Sequence, residues 1–210
     1  MPAALWDMDG TLIDSEEYHW CAWRDTMARE GVPITHAHFV ATFGQRNDAI
    51  LPHWLGADAP MELIQRIGDA KEALYRDMVR SGGIEPLPGA AEWIARLHAE
   101  GWRQAIASSA PRLNVEAIVD SLNLKFDVIV ASEDVRHGKP DPEVFLTAAS
   151  RLGVPSAECV VVEDAAAGIE AARRGGMRSI GVSRKGPLAA DLFAPSLKEL
   201  PPDAFTRLVR

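Results

Sequence analysis

Cysteine is scarce in this 210-residue chain: Cys21 and Cys159 are the only two, far apart in sequence. They build no disulfide framework and no zinc-ligand spacing. They suit a reducing compartment, so a cytoplasmic location is expected. Long apolar runs are missing too. None approaches the roughly 18 residues of a membrane span. The N-terminus has no basic stretch leading into an apolar one, as a secretory signal would. Positive charge is in deficit: 22 Lys and Arg stand against 30 Asp and Glu, a formal net charge of −8. A chain of that sign is not expected to take nucleic acid or a membrane as partner. Any anion it binds needs local help from cations, backbone amides or a metal. No Walker-type phosphate loop is present, and no repeat or low-complexity segment stands out. Apolar residues, by contrast, make up 47% of the chain. That is enough for a core and excludes disorder. The length suits one large domain, or a core with one sizeable insertion.

Short apolar runs punctuate the sequence. Ala3–Trp6, Arg103–Ser108, Phe126–Ala131, Cys159–Val162 and the weaker Arg178–Val182 suit strands buried on both faces of a parallel sheet. Helical patterns lie between them over Ala90–Glu100, Arg112–Leu122, Pro142–Leu152 and Ala165–Arg174, several closed by glycine. Such alternation predicts an α/β fold, a Rossmann-like parallel sheet with helices on both faces. No strand signal appears between Ser15 and Ser81. Helices are predicted instead over Glu16–Glu30, Asn47–Leu55 and Pro60–Arg80. The expected division is therefore a core of residues 1–14 and 82–210, with a helical cap of residues 15–81 inserted after the first strand. The proline-rich tail after Gly186 reads as short helices and turns.

In a parallel sheet of this kind, ligands bind beyond the carboxyl ends of the strands. Asp7 and Asp9 follow the first run, Ser108 and Ser109 end the second, Lys139 lies in the loop after the third, and Glu163 and Asp164 end the fourth. Each is ordinary alone; their order at successive strand ends carries the reading. Four carboxylates in one crevice cannot all stay ionised without a cation. Magnesium, a hard ion that takes oxygen ligands, resolves the conflict. A phosphoryl substrate supplies further anionic oxygens, held by Lys139, Ser108 and loop amides. Asp7 is then placed to attack phosphorus and carry an aspartyl phosphate. Asp9 is placed to protonate the leaving oxygen and later to deprotonate water. A calcium-binding EF-hand loop is excluded, because Gly10 as its sixth residue would put Leu5 in the first ligand position.

The segments Asp7-Met8-Asp9-Gly10-Thr11, Ser108, Gly138-Lys139-Pro140-Asp141-Pro142 and Glu163-Asp164-Ala165-Ala166-Ala167-Gly168 resemble the four ordered motifs of the haloacid dehalogenase-like (HAD) hydrolase superfamily. With the insertion after the first strand, the chain is most similar to the β-phosphoglucomutase-like phosphatases. The resemblance spans nearly the whole sequence. It implies Asp7 as nucleophile and metal ligand, and Asp9 as general acid and base with its backbone carbonyl on the metal. It implies Asp164 and Glu163 at a Mg2+ ion, and Ser108, Ser109, Thr11 and Lys139 around the phosphoryl group. Dehalogenases of the superfamily lack the second aspartate, so Asp9 favours phosphate chemistry. The implied substrate is a small phosphorylated metabolite such as a sugar or polyol phosphate, and the protein is expected to act as a monomer.

Three cap residues come from the same resemblance. His19, in Glu17-Tyr18-His19-Trp20, matches a histidine that helps control proton transfer in β-phosphoglucomutases. Arg46, in Gly44-Gln45-Arg46-Asn47, matches an arginine that grips a distal phosphate. Lys71 matches a sugar-contacting lysine. Trp20, Trp23 and Trp54 read as cap core. One departure separates the chain from the mutases: where they carry a Lys-Asn pair, this chain has Ser109-Ala110-Pro111-Arg112. Arg112 is the candidate to replace that lysine, but Pro111 alters the loop. A phosphatase is therefore expected, with a mutase of sugar 1- and 6-phosphates as the alternative. A non-catalytic phosphoacceptor like a response-regulator receiver is a third reading, disfavoured because receivers lack a large helical insertion.

Overall fold

The computed structural model describes residues 1–43 and 45–209. Gly44, part of the expected arginine loop, lies outside the described residues. All five apolar runs form strands: β1 (Ala3–Trp6), β2 (Arg103–Ala107), β3 (Val128–Val130), β4 (Cys159–Glu163) and β5 (Arg178–Val182). The tail adds a sixth, β6 (Leu192–Ala194), where the sequence predicts only short helices and turns. It pairs with β5 at the sheet edge through Ile180–Leu192 and Val182–Ala194. No longer apolar run contains these residues, and the surrounding prolines suggest turns.

The strands make one parallel sheet in the order β3-β2-β1-β4-β5-β6. β1 is central, with Ala3 beside both Arg103 of β2 and Cys159 of β4. The chain builds outward from β1 to β3, then crosses back to β4 on the other side of β1. The topological switch therefore falls between β1 and β4. In such sheets a crevice opens there, outside the carboxyl ends of the strands.

Alternating strand residues serve two cores. Ala4, Trp6, Ile106, Val160 and Val162 face helices α5 (Ala90–Ala99) and α6 (Arg112–Leu122). Leu5, Ala105, Ala107 and Val161 face α7 (Glu143–Leu152) and α8 (Ala166–Arg174). A polar chain inside is paired: the buried Trp6 indole donates to Gln104 Oε1 (3.0 Å), and Gln104 Nε2 donates to the Ile94 carbonyl (2.9 Å). The tail closes the first face. Phe205, 1% exposed, lies with its ring centroid 5.1 Å from Trp93 and 5.7 Å from both Trp6 and Trp102. Phe205→Ala is expected to cost about 3–5 kcal/mol in urea unfolding. A loss below about 1 kcal/mol would mean that the tail adds no core packing.

Between β1 and α5 run four helices: α1 (Glu16–Arg29), α2 (His36–Thr42), α3 (Asn47–Leu55) and α4 (Met61–Gly82). The seven-residue α2 has no counterpart in the sequence reading. It is too short for a clear stripe and is fixed by a capping box between Thr35 and His38. Trp23, Met27, Phe39, Ile50, Leu51, Ile64 and Ile67 form a core of the insertion's own. Trp20 and Trp54 pack against it. Ala22, Tyr75 and Val79, nearer the sheet, join the core on its first face. No described helix is long and apolar enough to cross a membrane.

Candidate active site

The site is built by the segments that leave the strand ends. After β1 the chain turns tightly: Gly10 N–H donates to the Ile13 carbonyl (2.8 Å) and Leu12 N–H to the Met8 carbonyl (2.9 Å). The turn needs glycine. Gly10 has φ +86°, and a Cβ there would run into the Asp164 carboxylate. Gly168 in α8 has the same constraint, since a Cβ would overlap the Glu163 carboxylate. These glycines let the carboxylates at the end of β4, Glu163 and Asp164, lie close over the neighbouring backbone.

Asp7, Glu163 and Asp164 each bring a carboxylate oxygen within 4.8 Å of the others. Lys139 reaches between them, its Nζ donating to Asp7 Oδ1 (2.5 Å) and Glu163 Oε1 (2.6 Å). Its side chain is only 8% exposed. The loop that carries it is braced by Glu143, which accepts from the backbone N–H groups of Arg136 and His137 (2.9 Å each). Asp141 Oδ1 in turn accepts from the Glu143 N–H (2.9 Å). Burial pushes the Asp7 carboxyl well above its ordinary range, Lys139 pulls it down, and Glu163 and Asp164 add to the rise. Burial and then the Glu163 charge lift Asp164 to about 7. Among the described residues no second lysine or arginine bonds to these three. The trio is an all-oxygen donor set with negative charge in excess, which fits a hard divalent cation.

Asp9 faces elsewhere. Its Oδ1 accepts from the Ser15 hydroxyl and lies 3.5 Å from His19 Nε2. Burial alone would raise its carboxyl; the hydrogen bonds from His19 and Ser15 outweigh that and hold it below the ordinary range. The Asp9 side chain is therefore outside the carboxylate trio. His19 stacks on Tyr75, with centroids 4.1 Å apart, and its Nδ1 meets Lys71 Nζ at 2.8 Å. Burial, then the Lys71 charge, keeps the His19 ring below its usual basicity. Lys71 is itself buried, donates to Glu72 (2.9 Å), and lies 5.1 Å from the Trp23 ring.

A cavity of about 600 Å³ opens between the inserted helices and the strand ends, with Asp9, His19, Arg46, Lys71, Ser109 and Asp164 in its wall. Ser108 is buried beside it, its Oγ accepting from the Ala110 N–H (3.0 Å). Thr11 lies on a smaller adjoining pocket, its buried hydroxyl unpaired among the described residues. Arg46 crosses from the insertion to the sheet side. It donates to the Ser132 carbonyl (3.1 Å) and holds Asp48 at two points (3.3 Å each). Arg112 is turned away: its guanidinium binds Asp134 (2.5 Å) and the Ile129 carbonyl (3.4 Å). It therefore does not stand in for the mutase lysine.

The sequence reading missed Ser15, Glu72 and Asn114. Ser15 sits six residues from Asp9, a separation that means nothing until the turn is formed. Lys71 carries a signal that required no family resemblance. It falls in register with Ile64, Ile67, Tyr75 and Val79 on the buried stripe of α4, where a lysine is out of place.

Comparison with known proteins bears on the same residues. A family model described as haloacid dehalogenase-like hydrolase matches residues 1–176. The chain is 37% identical to fructose-1-phosphate phosphatase YqaB of Escherichia coli, over 85% of this chain and 94% of that protein. It is 33% identical to the β-phosphoglucomutase of Bacillus subtilis, over 95% and 92%. The crystal structure of CbbY from Rhodobacter sphaeroides in complex with phosphate superposes with a TM-score of 0.85 at 30% identity, covering 95% of this chain and 96% of that one. The matched stretch runs from β1 through α8 and so includes every strand end that lines the crevice. The chain belongs to the haloacid dehalogenase-like hydrolases.

Proposed function

We propose that this protein is a magnesium-dependent phosphatase of small sugar or polyol phosphates, working through an aspartyl phosphate on Asp7. Residues 15–81 serve as a cap over a core of residues 1–14 and 82–210. One observation carries the reading. Asp7 and Asp9, two residues apart, are held in opposite electrostatic surroundings beside one cavity, whose wall includes Asp9 and Asp164. Asp7 lies against an ammonium within a carboxylate trio, and Asp9 lies between a hydroxyl and an imidazole.

Asp7 Oδ1 is engaged by Lys139, so Oδ2 is the oxygen that attacks phosphorus. As that bond forms, the ester P–O bond breaks and Asp9 gives its proton to the departing oxygen. The Ser15 hydroxyl and His19 Nε2 at Asp9 Oδ1 favour its ionised form, so the acid step requires Asp9 to take up a proton as the ester binds, and the ionised form suits the later step in which it takes a proton from water. The resulting carboxylate then takes a proton from water. That water attacks phosphorus, the Asp7–phosphorus bond breaks, and inorganic phosphate leaves. Lys139 and the Ser108 and Ser109 region surround the transferred oxygens. Asp7, Glu163 and Asp164, with the Asp9 backbone carbonyl, would hold Mg2+. The ion would supply charge neutralisation for the phosphoryl oxygens.

The mutase reading keeps one support, the His19–Lys71 pair beside Asp9. Against it stand Arg112, bound away from the cavity, and Arg46, whose guanidinium is already engaged. With Mg2+ and a panel of sugar and polyol phosphates, phosphate release is expected from at least one ester, together with its loss in chelator. Isomer formation primed by a sugar bisphosphate, with little phosphate released, would establish the mutase instead. Release that chelator leaves untouched would sink both.

A further inference from the structure

Glu72 is a buried carboxylate in the seam between the inserted helices and α6. Three donors satisfy it, from three different elements. Lys71 Nζ of α4 (2.9 Å) and Asn47 Nδ2 of α3 (2.8 Å) both reach Oε1. Asn114 Nδ2 of α6 reaches Oε2 at 2.5 Å. Asn114 is fully buried, and its amide is fixed in this sense because its Oδ1 accepts from Arg76 Nη1 (2.9 Å), one turn along α4 from Glu72. The contact between Glu72 and α6 thus depends on the insertion being seated against the sheet side. Lifting it off breaks the Asn114 bond and leaves Oε2 to water.

The same seam reaches the reacting groups. Lys71 bonds to Glu72 on one side and to His19 Nδ1 (2.8 Å) on the other. An ammonium can only donate, so Nδ1 must accept and the ring proton sits on Nε2. Nε2 is the nitrogen that faces Asp9 Oδ1 at 3.5 Å.

We propose that Glu72 is a positioning residue that couples seating of the insertion on α6 to the orientation of the acid at Asp9. It acts through Lys71 and the His19 tautomer, and it belongs to neither the carboxylate trio nor the phosphate-holding set. The proposal rests on the reading of Asp9 as the proton donor.

The test compares two esters that differ in their need for an acid. A p-nitrophenolate leaves unprotonated, whereas a polyol alkoxide needs a proton. Glu72→Gln keeps the shape and removes the charge. It is expected to lower kcat/KM for the polyol phosphate by about 10- to 100-fold, and for the aryl phosphate by less than about 3-fold. Asn114→Ala should reproduce that split, and it carries the comparison if Glu72→Gln does not fold. Equal losses on both esters would indicate a merely structural role and overturn the proposal, as would no loss on either. Imidazole 15N spectra give a readout free of turnover. The Nε2-protonated tautomer of His19 is expected in the unaltered protein and its loss in Glu72→Gln; an unchanged tautomer overturns the proposal. If the unaltered protein hydrolyses neither ester, the phosphatase reading fails, and the imidazole spectra alone decide the role of Glu72.

Discussion

Asp7→Asn is expected to abolish phosphate release while leaving the fold intact and, without metal, no less stable. The amide keeps the shape of the side chain at the end of β1 but cannot attack phosphorus, so kcat should fall by at least about 10⁴-fold. Stability follows from the sign of the charge. Burial, with Glu163 and Asp164 beside it, holds the folded Asp7 carboxyl well above its ordinary value of 3.8, despite Lys139. A carboxyl raised in this way binds its proton more tightly in the folded state. Its ionisation therefore destabilises the fold once pH exceeds 3.8. Asparagine removes that cost. Calorimetry on metal-free protein at pH 7 should give a Tm at or above that of the unaltered chain, with the gap closing as pH falls below 3.8, where both states of the parent are protonated. Turnover within about 100-fold of the parent would transfer the nucleophile's role to another group.

Lys139→Met should have the largest effect on stability. The lysine is buried and donates to two carboxylates, Asp7 and Glu163, and its ammonium lies 5.0 Å from the Phe145 ring. Methionine retains most of the stem but leaves both carboxylates without their cation. Breaking a buried pair by removing one partner costs about 3–5 kcal/mol, because the remaining charge stays buried and uncompensated. Denaturant unfolding of metal-free protein at pH 7 should show a loss of that size. Acidification should recover part of it as the carboxyls take up protons. Added Mg2+ should recover part as well, through binding to the folded state. A cost below about 1 kcal/mol would be that of an exposed ion pair and would contradict the geometry.

The strands and longer helices were legible because burial on both sheet faces leaves apolar runs that few other structures use. The strand-end residues were legible with them, since a parallel sheet gathers its carboxyl ends on one edge. β6 and α2 were not: β6 lies among prolines that suggest turns, and α2 is too short to show a clear apolar stripe. The network in the insertion was hidden for a different reason. Ser15 and Asn114 gain meaning only from partners on other elements; Glu72 shares the buried stripe that flags Lys71, but its partners Asn47 and Asn114 lie on other helices. Arg112 shows the opposite failure. Its position in the sequence suggested a ligand contact, yet two partners distant in sequence, Asp134 and the Ile129 carbonyl, hold it beside β3.

The order of the strands also bears on how the chain is made. β1 leaves the ribosome well before both its neighbours: Ala3 waits for Arg103 and then for Cys159. Pairing across such separations is slow, because a long loop must close before the contacts repay it. Until β4 emerges, one edge of β1 stays open. The helices of the insertion, whose contacts are local, can assemble during that wait. Asp7 is therefore synthesised well before Lys139, Glu163 and Asp164. The three carboxylates of the trio can therefore meet only after β4 has emerged, by which time the helices of the insertion can have assembled.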